Sequence, residues 1–430
     1  MLQCRDDDRR LSLNRRPDFA PSTIEPCPPG DQRPGCGLLG AASPQHGNSP
    51  VVSVNPARQG DDCDVVVIGG GVVGLSVAYG LAKAKLAVTI LDEGDVAHRA
   101  SRGNFALIWV QGKGVAMPQY ARWTLASAMA WPQFASDLEG VTGHRLSFEQ
   151  RGGFMACLSE GELESRTTDL QRLHNQAPDC ANFERLDHVA LKRYLPAIGR
   201  DVVGGTYCPM DGHVNSLRLF GALHAAALAL GARYRPGAGV TVISGTSDGF
   251  RVETEQGEVR ARKVVLAAGL ANASLAPMVG LSAPVRPQRG QIMVTEKLAR
   301  FIDYPLGSVR QTDEGGVMIG DSKEEVGFDN GNSHAVLAEI AQRAVRTFPA
   351  LAQAQVVRSW GALRVMSPDG YPIYDRSASH PGAYLATCHS GVTLAAVHAG
   401  LIASSIATNE WRDDFAPFGA GRFENVPAAV

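Results

Sequence analysis

The chain has 430 residues, 44% of them hydrophobic, and 41 Lys and Arg stand against 43 Asp and Glu. That length can bury the cores of two lobes, and a charge near zero without a basic patch argues against nucleic acid as a partner. No apolar run of about 18 residues is present to span a membrane, so a cytoplasmic protein is expected, with peripheral membrane association through a partner left open.

Residues 1–60 are rich in Pro, Arg, Asp, Gly and Ser and are expected to be a disordered extension. Arg9-Arg10 and Arg15-Arg16 are not followed by an apolar stretch long enough for an export signal. The eight cysteines, at positions 4, 27, 36, 63, 157, 180, 208 and 388, form neither a C-x-x-C pair nor a Cys/His cluster. That pattern argues against zinc or iron–sulfur, so no metal site is expected, and it suits reduced thiols.

The pattern changes at Asp64-Val-Val-Val-Ile-Gly69-Gly70-Gly71-Val72-Val73-Gly74, an apolar run that breaks into glycines. A run of this kind is a buried parallel strand. Gly69, Gly71 and Gly74 have the G-x-G-x-x-G spacing in which backbone N–H groups approach a pyrophosphate at a helix N-terminus. A helix over 72–83 with an apolar stripe through Val73, Val77 and Leu81 is expected, then a strand over 86–91. Asp92 follows Gly74 by 18 residues and is placed for a ribose hydroxyl, with Glu93 the competing acid.

A loop of small and polar residues opens at Ala100-Ser101-Arg102-Gly103-Asn104 and runs to about Pro118, where ligands bind in such sheets. Helices are expected over 120–138, 160–176 and 189–194, with a strand over 151–158. The turn Asp211-Gly-His213-Val-Asn215 leads into a helix over 217–230, and His213 is expected at the surface. Strands over 239–244 and 250–254 follow, and Val264-Val-Leu-Ala-Ala268-Gly269 is a second buried strand that ends in small residues. From 284 to 320 the pattern is antiparallel, with strands over 286–294, 306–311 and 316–319. A helix over 335–348, a strand, turn and strand over 360–374, a strand over 384–388, a turn at His389-Ser-Gly391 and a helix over 393–408 complete the chain.

Arg364 lies in the largely apolar stretch from Ala362 to Met366, where an unpaired guanidinium would be costly to bury. A carboxylate partner is expected, from a substrate or from Asp369 or Asp375 as an internal salt bridge. Arg310 and Gln311 end a strand of the cavity wall and are candidates for a second polar contact to substrate.

The ordered set of Gly69–Gly74, Asp92, Ala100–Asn104, Val264–Gly269, Pro287-Gln-Arg-Gly290, Gly361-Ala-Leu-Arg364, Ser367-Pro-Asp-Gly370 and His389-Ser-Gly-Val-Thr393 resembles the D-amino-acid oxidase superfamily of flavoproteins, from about residue 62 to 410. The loop 101–105 and the segment 388–394 look most like opine oxidase B subunits, D-hydroxyproline dehydrogenase and hydrogen cyanide synthase, and less like glycine and sarcosine oxidases. The resemblance implies an α/β fold: a Rossmann-like FAD-binding domain with an interleaved α+β substrate domain on an antiparallel sheet. The first is expected over 61–150, 205–283 and 355–410, the second over 151–204 and 284–354, with 411–430 a tail.

It implies non-covalent FAD, because sarcosine oxidases that bind flavin covalently use a cysteine just before the motif matched by Ser367-Pro-Asp369, where this chain has Gly361-Ala-Leu. Carried over residue by residue, Gly69, Gly71, Val72, Val73 and Gly74 meet the pyrophosphate, Asp92 or Glu93 the ribose, and the Val240 backbone the adenine. Ala268 and Gly269 line the pyrophosphate side, and Ser101, Arg102 and Asn104 lie between pyrophosphate and flavin. His389, Ser390, Gly391, Val392 and Thr393 match the turn that faces the flavin pyrimidine edge. There a helix N-terminus favours the charge of the reduced ring.

Arg364 matches the arginine that forks a substrate carboxylate, although Val365 stands where that motif has proline. His389 is a candidate general acid or, alternatively, a histidine satisfied by a backbone carbonyl. The implied activity is oxidation of an amino acid or N-substituted amino acid, with an opine or D-hydroxyproline favoured. Primary D-amino-acid or glycine oxidation is an alternative, as is a flavin subunit that passes electrons to partner subunits carrying further redox centres.

Overall fold

The computed structural model describes residues 62–94 and 100–424. The chain divides into two units, Met1–Ala57 and Arg58–Val430. The extension expected over 1–60 lies outside the described residues, as do 425–430.

Strand β1 (Cys63–Ile68), helix α1 (Val72–Lys83) and strand β2 (Val88–Leu91) form the expected β-α-β unit. Every position of α1 from Gly74 to Ala82 is buried, so the helix is wrapped on all sides, where an apolar stripe is the sequence expectation. Lys83 at the helix end is exposed, and Val73 is half-buried and faces a large cavity. In the sheet, β1 pairs in parallel with β2 on one side and with Gly257–Leu266 on the other. The latter strand pairs in parallel with Ala383–Thr387, and β2 with Arg233–Arg235. Chain order therefore reverses direction at β1, and the crevice beyond the carboxyl ends of β1 and Gly257–Leu266 is where such sheets bind ligands.

An antiparallel sheet of order Val309–Gln311, Gly316–Gly320, Arg286–Lys297, Val356–Met366 forms the second layer. Residues 356–366, expected in the nucleotide-binding half, belong instead to the substrate sheet, through the ladder Arg286↔Met366 to Thr295↔Val356. Gly204–Cys208 likewise joins Gly153–Cys157 and Glu184–Asp187 in a small third sheet. Long-range strand pairing decides both boundaries, and no local pattern reports it.

The helix expected over 120–138 runs Pro118–Thr142, with Pro118 in its first turn and Gly143 closing it in the left-handed conformation (φ 68°). The helix expected over 393–408 begins at Ala395 and contains a π turn at His398–Ile402. Residues 411–424, expected as a tail, contribute Phe415 and Phe418 to the core, where both pack edge-on or tilted against Trp123 and Tyr374. His213, expected at the surface, is buried, and burial holds its pKa down at about 3. Backbone pairing of Gly212 and His213 with Leu107 and Ile108 draws it inside.

Candidate active site

A cavity of about 1020 Å³ runs from the glycine turn to the antiparallel sheet. It is large enough for an extended dinucleotide together with a small ligand. Gly69 (φ 109°) makes the turn, and a Cβ there would lie 2.3 Å from the Ala267 carbonyl oxygen. A Cβ on Gly74 would lie 1.9 Å from the Gly69 carbonyl oxygen, so the helix packs on the turn only because that position is bare. The N–H of Val72, at the start of α1, donates to Ser101 Oγ at 2.9 Å. The Asp92 carboxylate accepts from Gly70 N–H at 2.6 Å and from Gly94 N–H at 3.0 Å. Asp92, Glu93, Val240, Ala268 and Gly269 all line this end of the cavity.

The loop after β2 closes over the middle. The Arg102 guanidinium lies 5.2 Å from the Phe220 ring centroid. Asn104 donates through Nδ2 to the Ser101 carbonyl at 2.5 Å, and its Oδ1 is buried without a hydrogen-bond partner. A buried acceptor left alone is costly and marks a place where a ligand donor fits. With the bare glycine cradle and the helix N-terminus, the site suits a bound flavin dinucleotide.

At the far end Arg364 lines the cavity. Its Nη1 donates to the carbonyls of Ser322 at 2.7 Å and Arg289 at 3.2 Å, and its Nη2 pairs with Asp321. The carboxylate partner expected for it is therefore Asp321. Asp369 pairs with Arg422 at 2.8 Å, and Asp375 accepts from Ala420 N–H at 2.9 Å. Gly290 makes the geometry possible, since a Cβ there would sit 2.4 Å from Arg364 Nη2.

The structure does not bring Gln311 to the cavity. It is 1% exposed, its Oε1 accepts from Phe301 and Ile302 N–H, and its Nε2 donates to the carbonyls of Leu298, Ala299 and Gly315. Strand alternation turns Gln311 away from the face its neighbour occupies, and all its polar capacity closes the 298–315 loop. Arg310 is buried as well and donates to the Phe105 carbonyl at 2.6 Å. Desolvation pulls its pKa down to about 10.

The turn His389–Thr393 lines the cavity opposite. His389 is exposed to the open cavity, and desolvation by the surrounding walls together with the cations Lys113, Arg364 and Lys323 holds it well below the ordinary imidazole range, which favours its neutral form. Its Nδ1 lies 3.1 Å from Ser390 Oγ, which stands in place of the backbone carbonyl of the alternative expectation. Thr393 ties the turn to residues 107–109: its Oγ1 accepts from Trp109 N–H at 3.2 Å and donates to the Leu107 carbonyl at 3.1 Å.

Sequence reasoning passes over three charged residues of this cavity: Lys113, Arg166 and Asp321. Arg166 donates to Thr206 Oγ1 and Gln111 Oε1, both at 2.6 Å. Gln111 is held in turn by Asp211, whose carboxylate accepts from Gln111 Nε2 and Val110 N–H at 2.6 Å. Burial raises Asp211 to about 7 despite those bonds. The one sequence signal for Lys113 is its setting, a lysine between two glycines in a loop already expected to bind ligand.

The FAD-dependent oxidoreductase family called DAO matches residues 64–405, and the chain belongs to it. It is thus an FAD-dependent oxidoreductase of the kind that acts on amino acids and amines. The opine oxidase B subunit of Agrobacterium tumefaciens is 47% identical over 363 residues, 84% of this chain and 98% of the relative. The HcnC subunit of hydrogen cyanide synthase from Pseudomonas aeruginosa is 28% identical, with 85% and 98% covered. The crystal structure of glycine oxidase from Geobacillus kaustophilus superposes with a TM-score of 0.76 at 25% identity, covering 83% of this chain and 98% of that one. Among the described residues no helix is long and apolar enough to cross a membrane.

Proposed function

We propose that the chain oxidises the carbon next to nitrogen in an N-substituted amino acid, an opine being the favoured substrate and D-hydroxyproline the next. The observation that carries this is one continuous cavity with a nucleotide cradle at one end and Arg364 at the other. The identity to the opine oxidase B subunit supports the secondary amine.

Bound non-covalently, FAD would supply a two-electron acceptor for the hydride leaving the substrate carbon. Gly69–Gly74 and Ser101 would hold its pyrophosphate, Asp92 its ribose, and the His389–Thr393 turn its pyrimidine edge. Arg364 forks the substrate carboxylate, sharing its charge with Asp321. Among the described residues the acceptors of Arg166 are neutral, Thr206 Oγ1 and Gln111 Oε1, and it offers a second guanidinium to a substrate with two carboxylates. These residues position substrate and exclude water, and the resulting imine is hydrolysed after release. Because the opine oxidase and HcnC relatives are themselves named as subunits, electrons are expected to pass onward to a partner subunit with its own redox centre.

The test is anaerobic bleaching of the flavin in the full chain by opines, D-hydroxyproline, sarcosine, glycine and D-amino acids. Opines are expected to bleach it fastest, with slow reoxidation by air and fast reoxidation by a dye. Bleaching by glycine or D-alanine alone would sink the secondary-amine assignment.

A further inference from the structure

The substrate end of the cavity contains a lysine with no task in that scheme. Lys113 sits between Gly112 (φ 75°) and Gly114 (φ 82°). Two left-handed residues in this spacing turn the chain twice and leave one side chain directed from the bend. That side chain lines the cavity, and its Nζ donates to Ser390 Oγ at 3.0 Å. The same hydroxyl accepts from Tyr120 Oη at 3.0 Å. An oxygen that accepts two hydrogen bonds is free to donate its own proton, and its remaining neighbour is His389 Nδ1. The imidazole proton is therefore on Nε2, and the Lys113, Ser390, Tyr120 and His389 side chains form one locked network beside the flavin turn.

Removing a hydride from the carbon beside nitrogen requires a lone pair on that nitrogen, and an amino acid arrives as its ammonium. A proton must leave first. The charged and titratable groups facing Lys113 are Asp321, Lys323, Arg364, Cys388 and His389, with Tyr120 on the shared Ser390 hydroxyl. Asp321 is engaged by Arg364, and burial pushes the Cys388 thiol up to about 12. His389 already lacks a second proton, and guanidinium groups do not release theirs. Burial, opposed by Asp321, lowers the Lys113 ammonium to about 8. Lys113 can thus be neutral in mildly alkaline solution.

We propose that Lys113 is the catalytic base for the substrate ammonium. The N–H bond of the substrate breaks, its electron pair stays on the substrate nitrogen as the lone pair needed for oxidation, and the Lys113 Nζ lone pair binds the proton. Ser390 Oγ fixes where that amine points, and the proton passes to solvent when product leaves. The assignment rests on the amine-oxidising reading above.

The experiment follows anaerobic flavin reduction in the full chain against pH for wild type, K113M and K113R. In wild type, the reduction rate constant divided by the substrate dissociation constant rises with pH and bends near 8. K113M is expected to lose about 10²–10³-fold at pH 7, with its bend moved to the ammonium of the substrate itself. K113R keeps a charge that it does not give up and is expected to match K113M. Recovery of the wild-type rate by K113R would make Lys113 a carboxylate anchor and overturn the proposal.

A second readout is independent of turnover: the acetylation rate of Lys113 by acetic anhydride, followed by peptide mass, should have its midpoint near 8. A midpoint near that of a free lysine would also overturn it. If no amine bleaches the wild-type flavin, the amine-oxidising reading fails and takes this assignment with it. If amines bleach it and the K113M profile overlays wild type, only the role of Lys113 falls.

Discussion

The two ends of the cavity are built on different principles. The proposed adenosine end is largely backbone: a strand, a turn around Gly69 and the N-terminus of α1, with the Asp92 carboxylate tied to the Gly70 N–H and Ser101 Oγ to the Val72 N–H. The substrate end is side chains from five separated segments: Lys113, Arg166, Asp321, Arg364 and His389. A backbone site has little freedom to vary because its geometry is the fold. A side-chain site can be altered one residue at a time, which is how a common flavin cradle can serve many substrates.

Gly74→Ala should disrupt the fold of the glycine turn itself, because the new Cβ meets backbone that cannot give way. Overpacking of about 1–3 kcal/mol translates into FAD binding roughly 5- to 150-fold weaker, measured as flavin absorbance per protein. Full flavin occupancy in that variant would break the idea that the adenosine end is rigid.

Arg364→Ala should leave flavin content intact. The loss of charge-assisted hydrogen bonds of about 1.5–3 kcal/mol corresponds to a drop in kcat/KM of roughly 10- to 150-fold, mostly in KM. Unchanged kinetics with a lowered melting temperature would reduce Arg364 to half of an internal ion pair with Asp321.

Gln311→Ala tests where the substrate end stops. Its five hydrogen bonds serve the 298–315 loop, so unfolding free energy should fall by about 1–3 kcal/mol while KM stays constant. A raised KM would restore it as a substrate contact.

The smallest effect concerns Asp211, which holds the Val110–Gln111 segment under Arg166. Its folded pKa is raised to about 7, so the folded state keeps a proton that the unfolded chain releases above the ordinary carboxyl value of 3.8. That stabilisation is complete below about pH 4 and is lost as pH rises through about 7. Thermal melts of Asp211→Asn should show a shallower decline than wild type between pH 4 and 7, by a few degrees at most. Parallel curves would mean that Asp211 stays ionised.

Legibility in the sequence follows the same division. The β1-α1-β2 unit, the helix Glu160–Gln176 and the strand ends around Ala268 and Gly269 are legible because apolar runs and glycine spacing are local signals. The turn at His389 is legible through its motif. Gln311 is misassigned from sequence because alternation along a three-residue strand has no signature strong enough to fix its phase. Arg364 is found, but its partner Asp321 lies 43 positions away on a loop beyond another strand, so Asp369 and Asp375 are the natural guesses. Strand Val356–Met366 goes with the wrong sheet because its pairing with Arg286–Lys297 spans some 70 residues.

The sequence alone therefore determined the β1-α1-β2 unit with its glycine turn and the acid that ends β2, since each depends on neighbours within one turn or one β-α-β unit, and its ordered motifs determined the family. Only the tertiary structure decided which charges meet at the substrate end: that Asp321 faces Arg364, that Arg166 reaches the cavity through Gln111 and Asp211, and that Lys113 meets Ser390 across 277 positions. Desolvation by the cavity walls shifts a lysine and a histidine only once those segments are packed around them. The proton chemistry of the site is a property of the packed chain.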